Sequence, residues 1–225
     1  MADDKIWPPA NGLTTKVVPR DKAILELPYS TTVHAPAHVV FDTLVRTSNY
    51  SAWNTWIPSV RIISQPPPRN TTEEQDGSRM RVGTEMEFNV VMDASKPDSI
   101  THTLLKVSDI STPDAPSSYL SAEELADPSF TADLGKVYRV AWTSNGGMMG
   151  FAPQIERFHE VIVTSEDTCE VRNWELMSGM TARLVKLFML ETLQGKVRLW
   201  CEDLKKYCER VYAEGKAGGG AAAAV

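Results

Sequence analysis

The chain has little of what the common catalytic and metal-binding motifs need. Among its 225 residues there are three cysteines and four histidines, all dispersed, with no Cys-x-x-Cys or His-Glu-x-x-His spacing. It also lacks a Gly-rich phosphate loop followed by Lys and Ser or Thr, and it lacks a nucleophile elbow. These absences argue against the usual metal, nucleotide and serine-hydrolase sites, so we expect neither a metal nor a cofactor.

Charge of one sign is not concentrated anywhere along the sequence. The formal net charge is −6 and the basic residues are scattered, whereas a nucleic-acid surface needs a clustered basic face. Apolar runs stay well below the roughly 20 residues that span a bilayer. The acidic start, Met1-Ala2-Asp3-Asp4, is unlike a secretory signal, and an odd number of cysteines fits reduced thiols. We therefore expect a cytoplasmic protein that has no transmembrane segment and binds no nucleic acid; its oligomeric state stays open.

Apolar periodicity predicts a single α+β domain, because 42% of the residues are hydrophobic and they recur at strand and helix spacings. A first strand is predicted within 22–34, followed by a helix that opens at Ala35-Pro36 and a second short helix that ends at Trp53. Further strands are predicted from Val60 and at 83–92, 99–110, 136–143, 154–165 and 168–177. Strands joined by short links pair antiparallel, so we expect one antiparallel sheet with helices on one side.

Four segments depart from this pattern. Residues 1–21 contain several prolines and no period, which predicts a flexible arm before a single domain at 22–212. Polar and proline-rich stretches near 65–81 and 111–135 are predicted to be insertions. The Gly- and Ala-rich residues 213–225 are predicted to be a disordered tail.

A long helix is predicted from Met180 to about Tyr212, and its first half is apolar on nearly every side. A helix of this kind must be enclosed on several faces or lie in a membrane. The apolar run stops at Glu191, too early to cross a bilayer. We therefore interpret this helix as one that the rest of the protein wraps. The residues predicted to line a cavity beside it are Leu184, Leu187, Phe188 and Met189.

Three short motifs stand at the ends of predicted elements. They are Val33-His34-Ala35-Pro36-Ala37-His38-Val39-Val40-Phe41, Asn49-Tyr50-Ser51-Ala52-Trp53-Asn54 and Asn173-Trp174-Glu175-Leu176-Met177-Ser178-Gly179. Their order, with the long last helix, resembles the START-like or helix-grip superfamily, also called the polyketide cyclase and lipid-transfer group. The resemblance covers most of 22–212. It implies a curved antiparallel sheet of about six or seven strands around the C-terminal helix, with two short helices after the first strand and an apolar cavity inside.

Glu175 is the first candidate for chemistry. Alternation along its strand puts Asn173, Glu175 and Met177 on one face, and the resemblance implies that this face meets the cavity. Desolvation there would raise the pKa of the Glu175 carboxyl and fit it for acid–base work; an ion pair with an arginine or exposure to solvent are the alternatives. His159 could complete an acid–base pair for enolisation or dehydration, but both faces of strand 154–165 are mixed, so its direction stays open.

Large apolar side chains supply the candidate ligand contacts, although ordinary core packing is the alternative for each of them. Met148, in the Gly-rich stretch 146–150, has the soft side chain that suits an adaptable contact. The predicted ligand-binding residues of the strands, loops and short helices are Trp53, Trp56, Phe88, Trp142, Met148, Asn173 and Met177.

The resemblance implies a function in binding a hydrophobic small molecule, such as a lipid, a polyketide or a similar metabolite, in an internal cavity between sheet and helix. One alternative is a cofactor-free cyclase or dehydratase that acts on a polyketide-like substrate. A second is a quinone-binding or chaperone-like role. Because the residues do not form a complete catalytic set, the sequence leaves open whether the protein is an enzyme.

Overall fold

The computed structural model describes residues 6–68, 76–144 and 153–222, with the backbone alone for 218–222. Short 3-10 turns precede β1, α2 and β5. The strands and helices, in chain order, are β1 Leu25–Val33, α1 Ala37–Val45, α2 Tyr50–Trp53, β2 Ser59–Ser64, β3 Glu85–Val91, β4 Ile100–Ser111, α3 Ala122–Leu125, β5 Val137–Ser144, β6 Gln154–Ser165, β7 Thr168–Ser178 and α4 Met180–Ala222.

The strands of the described ranges form one seven-stranded sheet in the order β1-β7-β6-β5-β4-β3-β2, and every neighbouring pair is antiparallel. The first and last strands are therefore neighbours, with Leu25 opposite Met177. Register shifts interrupt the β2–β3, β4–β5 and β6–β7 pairs. Such irregularities bend strands and increase their twist, in keeping with the curved sheet seen here. The predicted antiparallel α+β architecture is confirmed.

The last hairpin leads directly into the closing helix. Strands β6 and β7 are joined by Glu166-Asp167, where the sequence predicts a tight turn. Gly179 then stands alone between β7 and α4, with a φ of +93° that residues with side chains rarely adopt. This turn lets α4 fold back across the sheet. We call the face of the sheet that contacts α1, α2 and α4 the inner face, and the opposite one the outer face.

Helix α4 packs on the inner face through one stripe of side chains. Its buried residues recur at intervals of three or four, which places them on one side of the helix. Together with inner-face residues of the sheet they form the large hydrophobic core. None of the described helices is long and apolar enough to cross a membrane. The fully or almost fully buried residues of the stripe are Leu193, Val197, Trp200, Cys201, Leu204 and Cys208.

The first turns of α4 correct one expectation. Leu184, Leu187 and Phe188 are 56%, 73% and 76% exposed, so they do not line an interior. In these turns α4 packs by the opposite face, through buried Ala182 and half-buried Met189. The apolar character all around the helix therefore does not mean that the helix is enclosed, because only one of its faces is covered by other described residues.

A second layer covers the outer face and corrects the prediction of a flexible arm at 1–21. Leu13 and Val18 are 0% exposed and form a second hydrophobic core with Phe158 and Trp174 of the outer face. The Trp174 indole also donates a hydrogen bond to the Thr14 carbonyl at 3.2 Å. Since the outer face of β6 and β7 carries Phe158, Trp174 and Leu176, this apolar part has to be covered, and the described part of the arm covers it together with the predicted insertion at 111–135. We call these two segments the outer layer.

Buried carboxylates tie the outer layer to the sheet. Glu160 of β6 and Arg139 of β5, both at most 2% exposed in their side chains, form an ion pair at 2.6 Å. Glu156 of β6 accepts hydrogen bonds from the Tyr119 hydroxyl at 2.6 Å and from the Val17 amide at 2.8 Å. Burial raises the pKa of the Glu156 carboxyl. These contacts fix the position of both segments of the outer layer, because each segment satisfies a group that would otherwise be buried alone.

The end of α4 also differs from expectation, because residues 213–222 are helical where the sequence predicts a disordered tail. Ala, Glu and Lys, which are good helix formers, occupy the first turn beyond Tyr212. Lys216 lies 3.3 Å from Asp167 of the β6–β7 turn. Both side chains are exposed, so this pair contributes little to stability.

Replacing Leu13 with alanine tests the packing of the outer layer. Because Leu13 is 0% exposed, we expect the substitution to lower the free energy of unfolding by about 2–5 kcal/mol in chemical denaturation. Ile6→Ala is the matched control, since Ile6 is 88% exposed and its loss is expected to change stability by no more than about 0.5 kcal/mol. Equal and small effects of the two substitutions would mean that the arm is loose after all.

Candidate functional site

The candidate site lies on the inner face where β6 and β7 pair. Arg157 stands opposite Glu175, and His159 stands opposite Asn173. Residues two apart in a strand share a face, so all four side chains point to the same side. That side is the inner one, because Asn173 donates a hydrogen bond to the Cys201 sulfur of α4 at 3.6 Å. The structure thereby gives the direction of His159, which the mixed pattern of β6 leaves open.

Arg157 is a buried cation at the centre of this group, with 3% of its side chain exposed. Its guanidinium lies 4.6 and 5.1 Å from the ring centroids of Trp200 and Trp56, distances at which cation–π attraction is favourable. Its Nε donates to Asn173 Oδ1 at 3.0 Å. Its Nη1 lies 3.9 Å from Glu175 Oε2, and its Nη2 has no partner among the described residues. The guanidinium is therefore held in place, yet only one of its hydrogen-bonding edges is satisfied.

Glu175 is the acidic member of the group, with 13% of its side chain exposed. Burial raises the pKa of its carboxyl, while the positive charge of Arg157 acts in the opposite direction and does not cancel the rise. At 3.9 Å the ion pair is longer than a hydrogen bond, which limits how far Arg157 stabilises the carboxylate. Glu175 therefore retains a proton more readily than an exposed glutamate does.

His159 is 0% exposed and lies between two indoles, with ring centroids 4.5 Å from Trp142 and 5.6 Å from Trp200. Neither of its ring nitrogens has a hydrogen-bond partner among the described residues. Its pKa lies well below the ordinary value, first because burial penalises the imidazolium and second because Arg157 repels it. His159 is thus a neutral imidazole on the same face as Glu175, with no hydrogen bond between the two.

The surroundings of the site are aromatic, with rings from the sheet, from α2, from α4 and from the segment after α2. Besides the His159 imidazole, five described rings have their centroids within 6.3 Å of that of Trp200 of α4, and we call these five and Trp200 together the aromatic cluster. The indole N–H groups of Trp53, Trp56 and Trp200 have no acceptor among the described residues. The cluster consists of Tyr50, Trp53, Trp56, Phe88, Trp142 and Trp200.

Most of the residues predicted from the sequence lie inside the protein, though not all. Met148 lies outside the described residues. Met189 is half-buried, whereas Leu184, Leu187 and Phe188 lie on the exposed side of α4. In the described ranges no three His, Cys, Asp or Glu side chains come together as a metal site. The predicted residues that are buried within the large core or beside it are Trp53, Trp56, Phe88, Trp142, His159, Asn173 and Met177.

Two residues of the site were not among those predicted. Arg157 shares a strand face with His159, and a charged residue in the middle of a predicted strand that also carries Ile155, Phe158 and Val161 is the signal that could have identified it. Trp200 falls on the core stripe of α4, and its spacing alone does not separate a core tryptophan from one at a site. Cys201 is also close, but burial raises the pKa of its thiol to about 12, which leaves it a poor nucleophile.

Comparison with known proteins supports the same architecture. A hypothetical protein from Helicobacter pylori superposes with a TM-score of 0.57 at 11% identity, over 81% of this chain and 87% of that one. The Zhui aromatase/cyclase from a Streptomyces species superposes with a TM-score of 0.50 at 11% identity, over 82% of this chain and 93% of that one. With the strand order and the closing helix, these similarities define a START-like helix-grip fold, as the sequence motifs imply.

Similarity at the level of sequence is weaker. No family model matches the chain. The "Oxopyrrolidines biosynthesis cluster protein O" of Penicillium oxalicum is 25% identical over 209 residues, which cover 88% of this chain and 93% of that protein. The chain is thus similar over nearly its whole length to a protein of a fungal biosynthesis cluster.

The buried imidazole predicts a specific pH dependence of stability. Because the pKa of His159 is lowered in the folded state, only the unfolded chain takes up this proton as pH falls below about 6.5. We therefore expect the wild type to lose stability relative to His159→Phe below that pH, by up to about 1.4 kcal/mol per pH unit.

Urea denaturation of both proteins over a pH series measures this difference. His38→Phe is the control, since His38 is exposed and its replacement removes no buried imidazole. A difference between wild type and His159→Phe that does not vary with pH would contradict the burial of His159 as a neutral ring.

Proposed function

We propose that the protein binds a hydrophobic small molecule on the inner face of the sheet, between β6–β7 and α4. The observation that carries this proposal is a buried set of polar groups without partners inside an aromatic environment. Arg157 Nη2 and both nitrogens of His159 belong to this set. Buried polar groups in native proteins are nearly always hydrogen-bonded, so unsatisfied groups gathered at one place favour a bound molecule that completes them.

The surroundings indicate what kind of molecule fits. Aromatic rings with one donor each favour a flat apolar body that carries a few acceptor atoms. The similarity to a protein of a fungal biosynthesis cluster and to the fold of an aromatase/cyclase supports a secondary metabolite, such as a polyketide or a related product, over a metal or a nucleotide. Its specific identity is not part of the proposal.

Two neighbouring residues of β5 test where the molecule binds. Val140 faces the inner core and Ala141 faces the outer layer, and both are 0% exposed. A larger side chain at either position costs stability, typically about 1–3 kcal/mol, but only at Val140 does it occupy space on the inner face. We therefore expect Val140→Phe to weaken the binding of Nile red, an uncharged flat dye, at least about tenfold. Ala141→Phe should leave binding unchanged.

Fluorescence titration of the folded proteins measures both affinities, and thermal unfolding checks that each variant is folded. Saturable binding also predicts a rise in stability of about 2.7 kcal/mol at a dye concentration 100 times the Kd. Equal losses in the two variants, or no saturable binding by the folded wild type, would argue against an inner-face site.

A second candidate function, catalysis by a cofactor-free cyclase or dehydratase, is favoured by one observation. Glu175 combines partial access with a raised pKa, which suits a general acid, and His159 on the same face is a neutral base. In a dehydration, His159 would take a proton from the carbon next to a carbonyl while Glu175 protonates the departing hydroxyl, and water would be released.

Replacing Glu175 with glutamine separates binding from catalysis. If the protein is a dehydratase, cells that carry only Glu175→Gln should accumulate a metabolite heavier than the wild-type product by one water, because glutamine cannot supply the proton. We expect the product to fall by about 100-fold or more, the typical contribution of a general acid, while Nile red still binds. Metabolite profiling by mass spectrometry measures the change. Glu170→Gln, on the outer face of the same strand, is the control, and identical profiles for the two variants would exclude this role.

A further inference from the structure

On the inner face, the main group of hydrogen-bond donors without acceptors is the edge of Arg157 that carries Nη1 and Nη2. Five N–H groups are available on a guanidinium, and the structure accounts for one hydrogen bond, from Nε to Asn173 at 3.0 Å. Nη1 has only the distant carboxyl of Glu175, and Nη2 has no partner in the described part of the chain. A buried charge left in this state is strongly unfavourable unless something compensates for it. We call this side of Arg157 the open edge.

The open edge is held in a fixed direction. The rings of Trp200 and Trp56 lie 4.6 and 5.1 Å from the guanidinium and are nearly perpendicular to each other, and Asn173 occupies its Nε. Asn173 is in turn held by its own hydrogen bond to Cys201. The two terminal nitrogens make no hydrogen bond to the described residues, and they present parallel N–H groups whose spacing matches the two oxygens of a carboxylate.

The groups that face Arg157 do not supply the missing negative charge. From α4 comes the Cys201 thiol and from α2 the Tyr50 phenol, and burial raises the pKa of both, so both stay neutral near neutral pH. His159 of the same strand is a neutral donor or acceptor. Among the described residues, Glu175 of β7 is the one acid that faces Arg157, and its own pKa is raised by burial. The site is thus rich in donors and poor in acceptors.

We propose that the ligand of the inner face carries a carboxylate, which Arg157 binds in a bidentate manner through its open edge while the apolar body of the ligand lies against the aromatic cluster. This inference rests on the proposed function and names the chemical class of its ligand. The ligand carboxylate compensates the positive charge of Arg157 at hydrogen-bond distance, whereas Glu175 does so only from 3.9 Å. With a carboxylate bound, Glu175 takes up a proton, because two carboxylates close to one cation repel each other.

A matched pair of probes tests the carboxylate. Naphthoate and naphthamide have nearly the same shape, and only naphthoate is charged at neutral pH. With the full-length protein in isothermal titration calorimetry, we expect naphthoate to bind at least about tenfold more tightly than naphthamide, since charge-assisted bidentate contacts are the stronger ones. Titrations in two buffers that differ in ionisation enthalpy should also show uptake of a proton with naphthoate and none with naphthamide.

Variants then assign the preference to Arg157. Arg157→Met should reduce the affinity for naphthoate to that for naphthamide, without weakening naphthamide. Arg157→Lys keeps the positive charge but loses the two parallel N–H groups, so it should retain part of the preference for naphthoate over naphthamide. Arg172→Met is the matched control: Arg172 lies on the outer face of β7, where it pairs with Glu170 at 2.8 Å, and its loss should leave both affinities unchanged.

The outcomes separate this inference from the proposed function. If the wild type binds both naphthalene probes equally well, the carboxylate inference is wrong, while binding of an apolar molecule stands. A preference that survives in folded Arg157→Met also overturns it. If neither these probes nor Nile red binds to the folded protein, the proposed function itself fails. If Arg157→Met does not fold, three results still decide the question. They are the preference of the wild type for naphthoate, the proton uptake that accompanies naphthoate binding, and the ratio of the two affinities in Arg157→Lys.

Discussion

Strand β6 is buried on both of its faces, and this constraint governs much of the rest of the structure. A strand in such a position is usually a run of apolar residues, whereas β6 carries charged or polar side chains at four of the five positions 156–160. Each of them needs a partner within the protein, because water does not reach them. The way in which these needs are met differs between the two faces. The four residues are Glu156, Arg157, His159 and Glu160.

On the outer face of β6 both carboxylates have partners. Glu160 has Arg139, and Glu156 has a hydroxyl and a backbone amide supplied by the outer layer. On the inner face Arg157 and His159 keep unsatisfied nitrogens, although they belong to the same strand and are as deeply buried. A protein that satisfies the polar groups on one side of a strand has the means to do so on the other. This contrast between the two faces of β6 supports the ligand site proposed on the inner face, although Asp109, on the outer side of β4, also keeps both carboxylate oxygens without a hydrogen-bond partner among the described residues.

The fold could be predicted from the sequence largely because apolar alternation and the Gly179 turn are local signals. What could not be predicted depends on contacts between distant segments. The arm has no apolar periodicity. Its burial depends on the apolar surface that Trp174 and its neighbours form on the outer face, which only the folded sheet creates. Leu184 and Phe188 are apolar but exposed, which no periodicity argument distinguishes from enclosure. The site could be predicted in part: alternation and the family resemblance assigned Glu175 to the inner face, whereas the position of Arg157 beside the aromatic rings depends on contacts between distant segments.

The division of the tryptophans between the two faces has an optical consequence. Trp53, Trp56, Trp142 and Trp200 lie in the aromatic cluster, whereas Trp7 packs edge-on against Trp174 in the outer layer, at 5.8 Å between ring centroids. Closely spaced indoles couple their electronic transitions, so each group contributes its own near-ultraviolet circular dichroism. The molecule therefore contains two separate groups of chromophores, one on the inner face of the sheet and one on its outer face. Loosening of either layer can be followed spectroscopically without attaching a label.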